Sequence, residues 1–380
     1  MLNDVRIRSA VVQTTVVAIV LGVIYLMAMT ASENLLQRGI PLGLEFLQYR
    51  AGFTISESLL PYETSDLYIW AAVVGIGNTL FVWFVVAVMS TVLGTLLGVA
   101  RLSENPLVSG LSRVWVESAR NTPPILMLIF LYSAWWVVLP SARQALGLGQ
   151  DVYLSIRGLV FPSVSLGWGT AASVVAIVIS IAALFAARQL AKRKHAQTGV
   201  RPPYVPVVFA AILTAFCVAL FFSRAGLLID RPVFQRTNFR GGITVTPELI
   251  TIILGLTYYT TGFVAEIVRS GILAVHKGQW EAARALGLRE GKVLQLVIIP
   301  QTMRVILPPM TSQYINLVKN TTLAIAVGYP DFMMIVTTII NRTSHAIEGV
   351  VLIILGYLLI NLSLSAALNW YNARVGRVER

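Results

Sequence analysis

Residues Ile69–Ala100 read IWAAVVGIGNTLFVWFVVAVMSTVLGTLLGVA, a run without a single charged side chain. A helix rising ~1.5 Å per residue crosses the ~30 Å hydrocarbon core of a bilayer in about 20 residues, so this run is long enough to span. Backbone N–H and C=O groups must be satisfied internally in lipid, which leaves helices and closed barrels. The run is too long and too uniformly apolar for the alternating strands of a barrel. The rest of the chain agrees: of 380 residues 56% are hydrophobic and 12% charged, where a soluble domain carries roughly a quarter charged residues. Mean hydropathy is +0.76. The fold class is all-α, a polytopic membrane protein.

Working outward, the same reading places about eight transmembrane helices: Ala10–Ala31, Ile69–Ala100, Pro124–Leu139, Val164–Ala187, Val205–Ser223, Glu248–Ala274, Met303–Val327 and Ile347–Tyr371. The first follows Arg6 and Arg8, and its apolar core exceeds the ~7–15 residues of a secretory signal, so it is read as an uncleaved span. Residues 32–68 carry Glu33, Glu45, Glu57, Glu63 and Asp66 against Arg38 and Arg50, and read as external. Alternation then puts both termini and the segments 101–120, 188–201 and 275–302 on one side. Their many Lys and Arg residues mark it as cytoplasmic by the positive-inside rule. Segment 224–246 dissents, with Arg224, Arg231, Arg236 and Arg240 against Asp230 alone on the external side. Either the cytoplasmic loops outvote it, or the count is off by one span near Val205–Ser223, or these arginines meet an acidic soluble partner.

The formal charge of +12 would suggest nucleic acid in a soluble chain. In a polytopic one the cytoplasmic loops account for it, so membrane lipid is the expected partner and nucleic acid is not. Cys217 is the sole cysteine, which rules out a disulfide within the chain, and His195, His276 and His345 are scattered. No metal site is expected.

The polar segment between the sixth and seventh spans carries the mechanical signal. Gly278–Leu286 is rich in helix formers and sets Trp280, Ala283 and Leu286 at i,i+3 spacing. Gly287 can take the left-handed conformation that ends a helix, and a second helical stretch runs from Glu290 toward Pro300. Small Ala282 and Ala283 permit close approach of a partner surface. Glu281 offers it a charge-assisted contact, and Pro300 fixes where the connecting helix bends.

The Glu281-Ala282-Ala283 triplet, Gly287 six residues after the glutamate, and Val297-Ile298-Ile299-Pro300 resemble the cytoplasmic "EAA" loop of ATP-binding-cassette (ABC) import permeases. Gly77–Leu80, Val116–Pro124, Glu266–Ile272, Lys277–Gln279 and Lys319–Leu323 extend the resemblance to the polar amino-acid permease family. The long external stretch and extra hairpin look most like the larger permease of general L-amino-acid (Aap/Bzt-type) importers. Met127 stands where many relatives carry glutamine, which weakens transfer of a relative's substrate preference; Thr322, Val297 and Ile299 are milder departures.

The resemblance implies a type I ABC importer permease core, about 69–140 and 247–371, within a permease domain of 69–380. Residues 1–68 add an N-terminal helix and external segment, about 164–223 an extra hairpin, and about 276–300 form the coupling loop. Trp280, Glu281, Ala282, Ala283, Ala285, Leu286, Gly287 and Pro300 would receive the ATPase. It also implies partners: a cytoplasmic ABC ATPase dimer that binds ATP and magnesium, a second permease subunit that is a paralogue in the larger subgroup, and a periplasmic amino-acid-binding protein. The location would be the bacterial inner membrane. The chain contains no Gly-x-x-x-x-Gly-Lys-Ser/Thr phosphate loop. No cofactor is therefore expected on it, and it reads as a transport subunit rather than an enzyme.

Polar groups inside spans are costly and face cavities or other helices. Tyr258, Thr260, Glu266, Asn316, Lys319 and Asn320 are the candidate linings of a path for an amino-acid zwitterion. Glu266 and Arg269, one turn apart, can equally pair with each other near the cytoplasmic interface while Lys319 snorkels. Glu117 and Arg120 read as structural or interfacial. The alternative function is an ion-gradient-driven secondary amino-acid transporter, whose mark would be an internal repeat with broken helices; none is seen. An intramembrane enzyme would need a nucleophile–base pair or metal cluster, and no such spacing stands out.

Overall fold

The computed structural model describes residues 5–37, 43–149, 151–166, 209, 212–213 and 227–377. The chain divides into two compact units, Met1–Ala134 with Glu248–Arg380, and Trp135–Pro247.

The first unit carries the long helices: α1 (Val5–Gln37), α2 (Tyr68–Ala100), α3 (Pro106–Asn121), the start of α4 (Pro124–Val138), α5 (Pro247–Leu273), α6 (Lys277–Ala285), α7 (Glu290–Val293), α8 (Ile299–Asn320), α9 (Phe332–Thr343) and α10 (Ala346–Arg377). Among the described residues four helical stretches are long and apolar enough to cross a membrane: Tyr68–Ala100, Pro247–Leu273, Glu290–Val327 and Ala346–Arg374. A fifth arises if α3 and α4, bent by 104°, count as one. Thr122, extended at ψ 124°, sits before Pro123-Pro124. Proline ring sterics exclude the helical conformation from the residue ahead of it and remove the N–H that would continue the ladder. The expected loop 101–120 is therefore largely helical. The first expected span is helix α1, whose apolar stretch Val11–Met27 is shorter and whose Val16, Leu21 and Leu26 are at least half exposed.

Glycines let the central helices approach closely. A Cβ on Gly94 would lie 2.5 Å from Val264 Cγ1, and one on Gly98 would lie 2.6 Å from the Ala265 carbonyl oxygen. Gly94-x-x-x-Gly98 thus forms the small-residue stripe against which α5 seats, the arrangement lipid-embedded helices use to gain dispersion contact. Further toward the other end, Val82 and Val86 of α2, Leu128 of α4, Ile252 and Leu256 of α5 and Leu317 of α8 close one buried cluster.

Helix α9 is absent from the sequence-based list of spans because its 12 residues, at ~1.5 Å each, reach only about half of a bilayer. Polar groups from distant segments hold it. The Asp331 carboxylate accepts from the Met334 N–H at 2.9 Å and from the Tyr357 hydroxyl at 3.0 Å. The Thr79 hydroxyl accepts the Phe332 N–H at 3.0 Å. Asn78 donates to the carbonyls of Glu57 and Pro330 at 2.8 Å and accepts from Leu59 at 3.1 Å. The Gly77–Leu80 motif therefore anchors the external segment and α9 to α2. Asp331→Ala removes the cap and one partner of the Tyr357 hydroxyl, a loss of about 1–3 kcal/mol. The expected result is a lower thermal midpoint of the purified chain, with Asp331→Asn, which keeps an acceptor, shifted less.

The second unit is rich in short strands. β1 (Leu146–Gly149), β2 (Val152–Ser155), β3 (Gly158–Phe161) and β8 (Ile243–Val245) form an antiparallel sheet in the order β1-β2-β3-β8. β4 (Ser163–Leu166) pairs β5 (Leu227–Asp230), and β6 (Val233–Gln235) pairs β7 (Asn238–Arg240). These strands add to the helical fold a feature the sequence reading lacks. Val164–Leu166, assigned above to the head of the fourth span, are instead in β4, paired in register with Leu227–Ile229. The remainder of that span, and nearly all of Val205–Ser223, lie outside the described residues. Within the basic segment, Arg231 pairs with Asp151 at 3.5 Å. Asp230 accepts the Gly242 N–H at 3.1 Å.

Candidate functional site

The polar segment after α5 folds as two helical pieces around one turn. His276 caps α6, its Nδ1 accepting the Gly278 N–H at 3.1 Å. The helix closes where Gly287, at φ +76°, donates to the Arg284 carbonyl at 2.9 Å and Leu288 donates to Ala283 at 3.3 Å. A side chain at this φ is strained, and glycine is not. Arg284 then spans the turn, with two hydrogen bonds to Glu290 at 2.8 and 3.3 Å, while its guanidinium lies over the Trp280 ring at 5.9 Å. At the far side, Gln301 donates to Gln279 at 3.0 Å.

The inward face of α6 is apolar. Ala283 is buried with Val275, Val293 and Ile298, and Trp280, Leu288 and Val297 pack on that cluster. The outward face carries Glu281, Ala282 and Ala285, all exposed, and Leu286, 80% exposed. The spacing argument put Trp280, Ala283 and Leu286 on one face; the structure turns the first two inward and Leu286 outward, because the helix ends at Ala285 and the glycine turn redirects the chain. Among the described residues Glu281 has no hydrogen bond or ion pair. Pro300 stands in the first turn of α8, directly after a π-helical stretch, Leu294–Ile298, and the helical path runs on through it. A π-helical stretch already sets the backbone out of the i→i−4 ladder, so the missing proline N–H breaks nothing there.

Of the polar span residues, Glu266 is fully engaged. Its carboxylate accepts from Arg101 of α2 and, at 2.8 Å, from Arg269 of its own helix, with Arg120 of α3 at 3.8 Å. Arg120 also lies 5.6 Å from the centre of the Phe263 ring. Arg101 and Arg120 were not tied to Glu266 by the sequence, since nothing local links positions this far apart. Three guanidiniums around one carboxylate make Glu266 the counterion that lets α2, α3 and α5 meet. Glu266→Gln is expected to cost about 1–2 kcal/mol, since the partly exposed cluster is screened by solvent but the three guanidiniums lose their shared counterion. A double-mutant cycle with Arg101→Ala checks this: strong non-additivity is the predicted outcome.

The others are dispersed. Tyr258 shares a 2.5 Å hydrogen bond with Ser118 and packs edge-on to Trp115. Thr260 is wholly buried, and among the described residues its hydroxyl has no hydrogen-bond partner. On α8, Asn316 and Lys319 are exposed and one turn apart, with Asn320 half-buried. Among the described residues no hydrogen bond or ion pair joins the α5 set to the α8 set.

The family model described as the binding-protein-dependent transport system inner membrane component matches residues 90–377. The chain belongs to this family. It is a multi-pass inner-membrane transport component, not an enzyme. The general L-amino acid transport system permease protein AapQ of Rhizobium johnstonii is 40% identical over 379 residues, 99% of this chain and 94% of that one. The putative amino-acid ABC transporter permease protein YhdX of Escherichia coli is 40% identical over 98% of this chain and 95% of its own. BztB of Rhodobacter capsulatus, a glutamate/glutamine/aspartate/asparagine transport system permease protein, is 35% identical over 100% of this chain and 96% of its own. This permease therefore matches long relatives from end to end, including the segments around its strand-rich unit.

Proposed function

We propose that this permease is the membrane subunit of an ATP-driven importer for L-amino acids, and that α6 is the element through which a separate ATPase moves the spans. The observation that carries the coupling is the division of α6 into a face buried in its own loop and a face of small, acidic and apolar residues left open. Trp280, Ala283 and the Arg284–Glu290 clasp make the loop a stiff unit, so a push on Glu281, Ala282, Ala285 or Leu286 passes into the π-helical stretch and α8. Full-length relatives that carry amino acids support the substrate class.

In this reading an ATPase dimer binds ATP and magnesium in the cytoplasm, a periplasmic binding protein delivers the amino acid, and a paralogous permease completes the pathway. Both termini lie in the cytoplasm. The core spans 69–140 and 247–371, with 1–68 and the 164–223 insertion as additions. Asn316 and Lys319, exposed on α8, and Tyr258 on α5 supply polar contacts along the path, while Glu266 serves the arginine cluster instead of the substrate.

Reconstitution tests this. Proteoliposomes holding the permease pair, the ATPase and the binding protein should accumulate a radiolabelled L-amino acid only with ATP. Accumulation by this chain alone under a proton or sodium gradient would establish the secondary-transporter alternative instead.

A further inference from the structure

Among the described residues of the second unit the charged side chains are Arg143, Arg157, Arg231, Arg236 and Arg240 against Asp151 and Asp230. Both aspartates are engaged: Asp151 faces Arg231 at 3.5 Å, and Asp230 accepts the Gly242 N–H at 3.1 Å. Arg143, Arg157, Arg236 and Arg240 are exposed and, among the described residues, have no carboxylate partner. Three of these four surround the β6–β7 hairpin. Pairing of Val233 with Arg240 and of Gln235 with Asn238 puts these residues on one face, and all four are exposed. The other face carries Phe234 and Phe239, whose rings meet edge-on at 5.5 Å, with Phe239 stacked on Tyr153 of β2 at 4.8 Å. The hairpin is thus fixed to the four-stranded sheet by its aromatic face, and its polar face stays open. Arg143 lies beside β7 in a short helical turn, Ala142–Gln144. Arg236 occupies the hairpin turn at φ +54°, a conformation that glycine or asparagine adopts with less strain. Strain of this kind persists at functional positions, and here it displays a guanidinium at the hairpin tip.

Helix α5 crosses the membrane once between Pro247, where the second unit ends, and Leu273, which leads into the α6 loop. Strand β8 therefore ends on the membrane face opposite α6. We propose that the open face of the β6–β7 hairpin, with Arg143, Arg236 and Arg240, docks an acidic surface of the amino-acid-binding protein. In the importer reading given above, on which this rests, that soluble protein meets the permease on the face opposite the ATPase. Charge decides the occupant. Arginines on the outer side oppose the bias that orients a polytopic chain, and three guanidiniums without an internal counterion offer forked donors to carboxylates. The remainder of the face is Val233, Gln235 and Asn238, without the aromatic and long aliphatic groups through which a protein enters a bilayer. A hydrophilic protein surface fits it better than lipid does.

The test uses the full importer in nanodiscs and the purified amino-acid-binding protein that stimulates its ATPase, with affinity measured over a range of salt. The wild-type complex should lose affinity steeply between about 50 and about 300 mM sodium chloride. The triple variant R143Q/R236Q/R240Q should bind about tenfold more weakly at the lower salt and respond less to salt. Its ATPase rate without the binding protein should stay at the wild-type level. Arg236→Asn separates docking from folding. It relaxes the turn, so a hairpin that served structure alone would be unharmed, whereas docking should weaken about threefold. Unchanged affinity and salt response in the triple variant, with wild-type transport intact, would overturn the docking surface and leave the importer reading standing. An importer that no amino-acid-binding protein stimulates would overturn both. A triple variant whose affinity is normal, and whose only defect is a lost response to phosphatidylglycerol in the nanodisc, would make the surface a membrane contact and overturn the proposal as well.

Discussion

Leu286→Lys is expected to lower ATP-driven uptake at least tenfold while the protein still inserts and folds. Leu286 is 80% exposed and touches nothing in its own loop that the structure needs, so its removal costs the isolated chain little. Against a partner, an exposed leucine beside Ala282 and Ala285 has the character of an anchor. Interface anchors lose about 2 kcal/mol or more on truncation, and 1.4 kcal/mol already corresponds to a factor of ten. A lysine adds a charge that must be desolvated. Glu281→Arg should act in the same direction, because Glu281 has no ion-pair partner among the described residues and its charge is available to a basic group on the ATPase. Gly287→Trp combines a second effect: the space around Gly287 is open, but its φ of +76° is strained for any side chain, so the turn itself deforms. In all three variants ATP hydrolysis by the assembled complex should become independent of the binding protein. Retained uptake in Leu286→Lys and Glu281→Arg, measured in proteoliposomes, would remove α6 from the mechanism.

Gly98→Leu is expected to prevent folding outright. Even a Cβ at this position would approach the Ala265 carbonyl oxygen to 2.6 Å and Val268 Cβ to 3.0 Å, and the first of these is backbone that cannot rotate away. At Gly94 the nearest atoms are the Cγ1 and Cβ of Val264, at 2.5 and 2.6 Å, with the Ala265 amide nitrogen at 3.2 Å. Overpacking of a well-filled interior costs typically 1–3 kcal/mol, and forcing two helices apart along a stripe also forfeits the close contact that holds them together in lipid. The expected readout is loss of detergent-stable protein for Gly98→Leu, a milder loss for Gly98→Ala, and wild-type yield for Gly110→Ala, where a Cβ meets nothing within 4 Å.

The long helices were legible because length and hydropathy alone define them: α2 and α5 end within one residue of the expected spans, while α8 stops at Asn320 rather than Val327 and α10 runs on to Arg377 rather than Tyr371. What escaped was short or non-local. Helix α9 is too brief to register as a span, and its position depends on Asn78 and Thr79, some 250 residues away in the chain. The strands of the second unit run only three or four residues and are broken by Gly149, Gly158, Gly241 and Gly242, so no alternation is long enough to be read. The Gly94-x-x-x-Gly98 spacing was a signal present in the sequence that marks a helix contact. In the coupling loop, composition and spacing conveyed the helix and the glycine turn, but not that Leu286 faces away from Trp280 and Ala283, since that depends on where α6 stops. Glu266 shows the same limit in the spans. Its pairing with Arg269 is local and readable, whereas its contact with Arg101 exists only because Gly98 brings α2 against α5.

The most direct measurement is a cysteine crosslink. With Cys217 replaced by serine, Ala282→Cys or Leu286→Cys is combined with single cysteines across the surface of the ATPase in the assembled importer. The predicted result is efficient crosslinking of both positions to the ATPase, changing in yield between the nucleotide-free and ATP-bound complex, with none from a control cysteine at the inward Ala283. Absence of any crosslink from positions 282 and 286 to the ATPase, in a complex that still transports, would contradict the account.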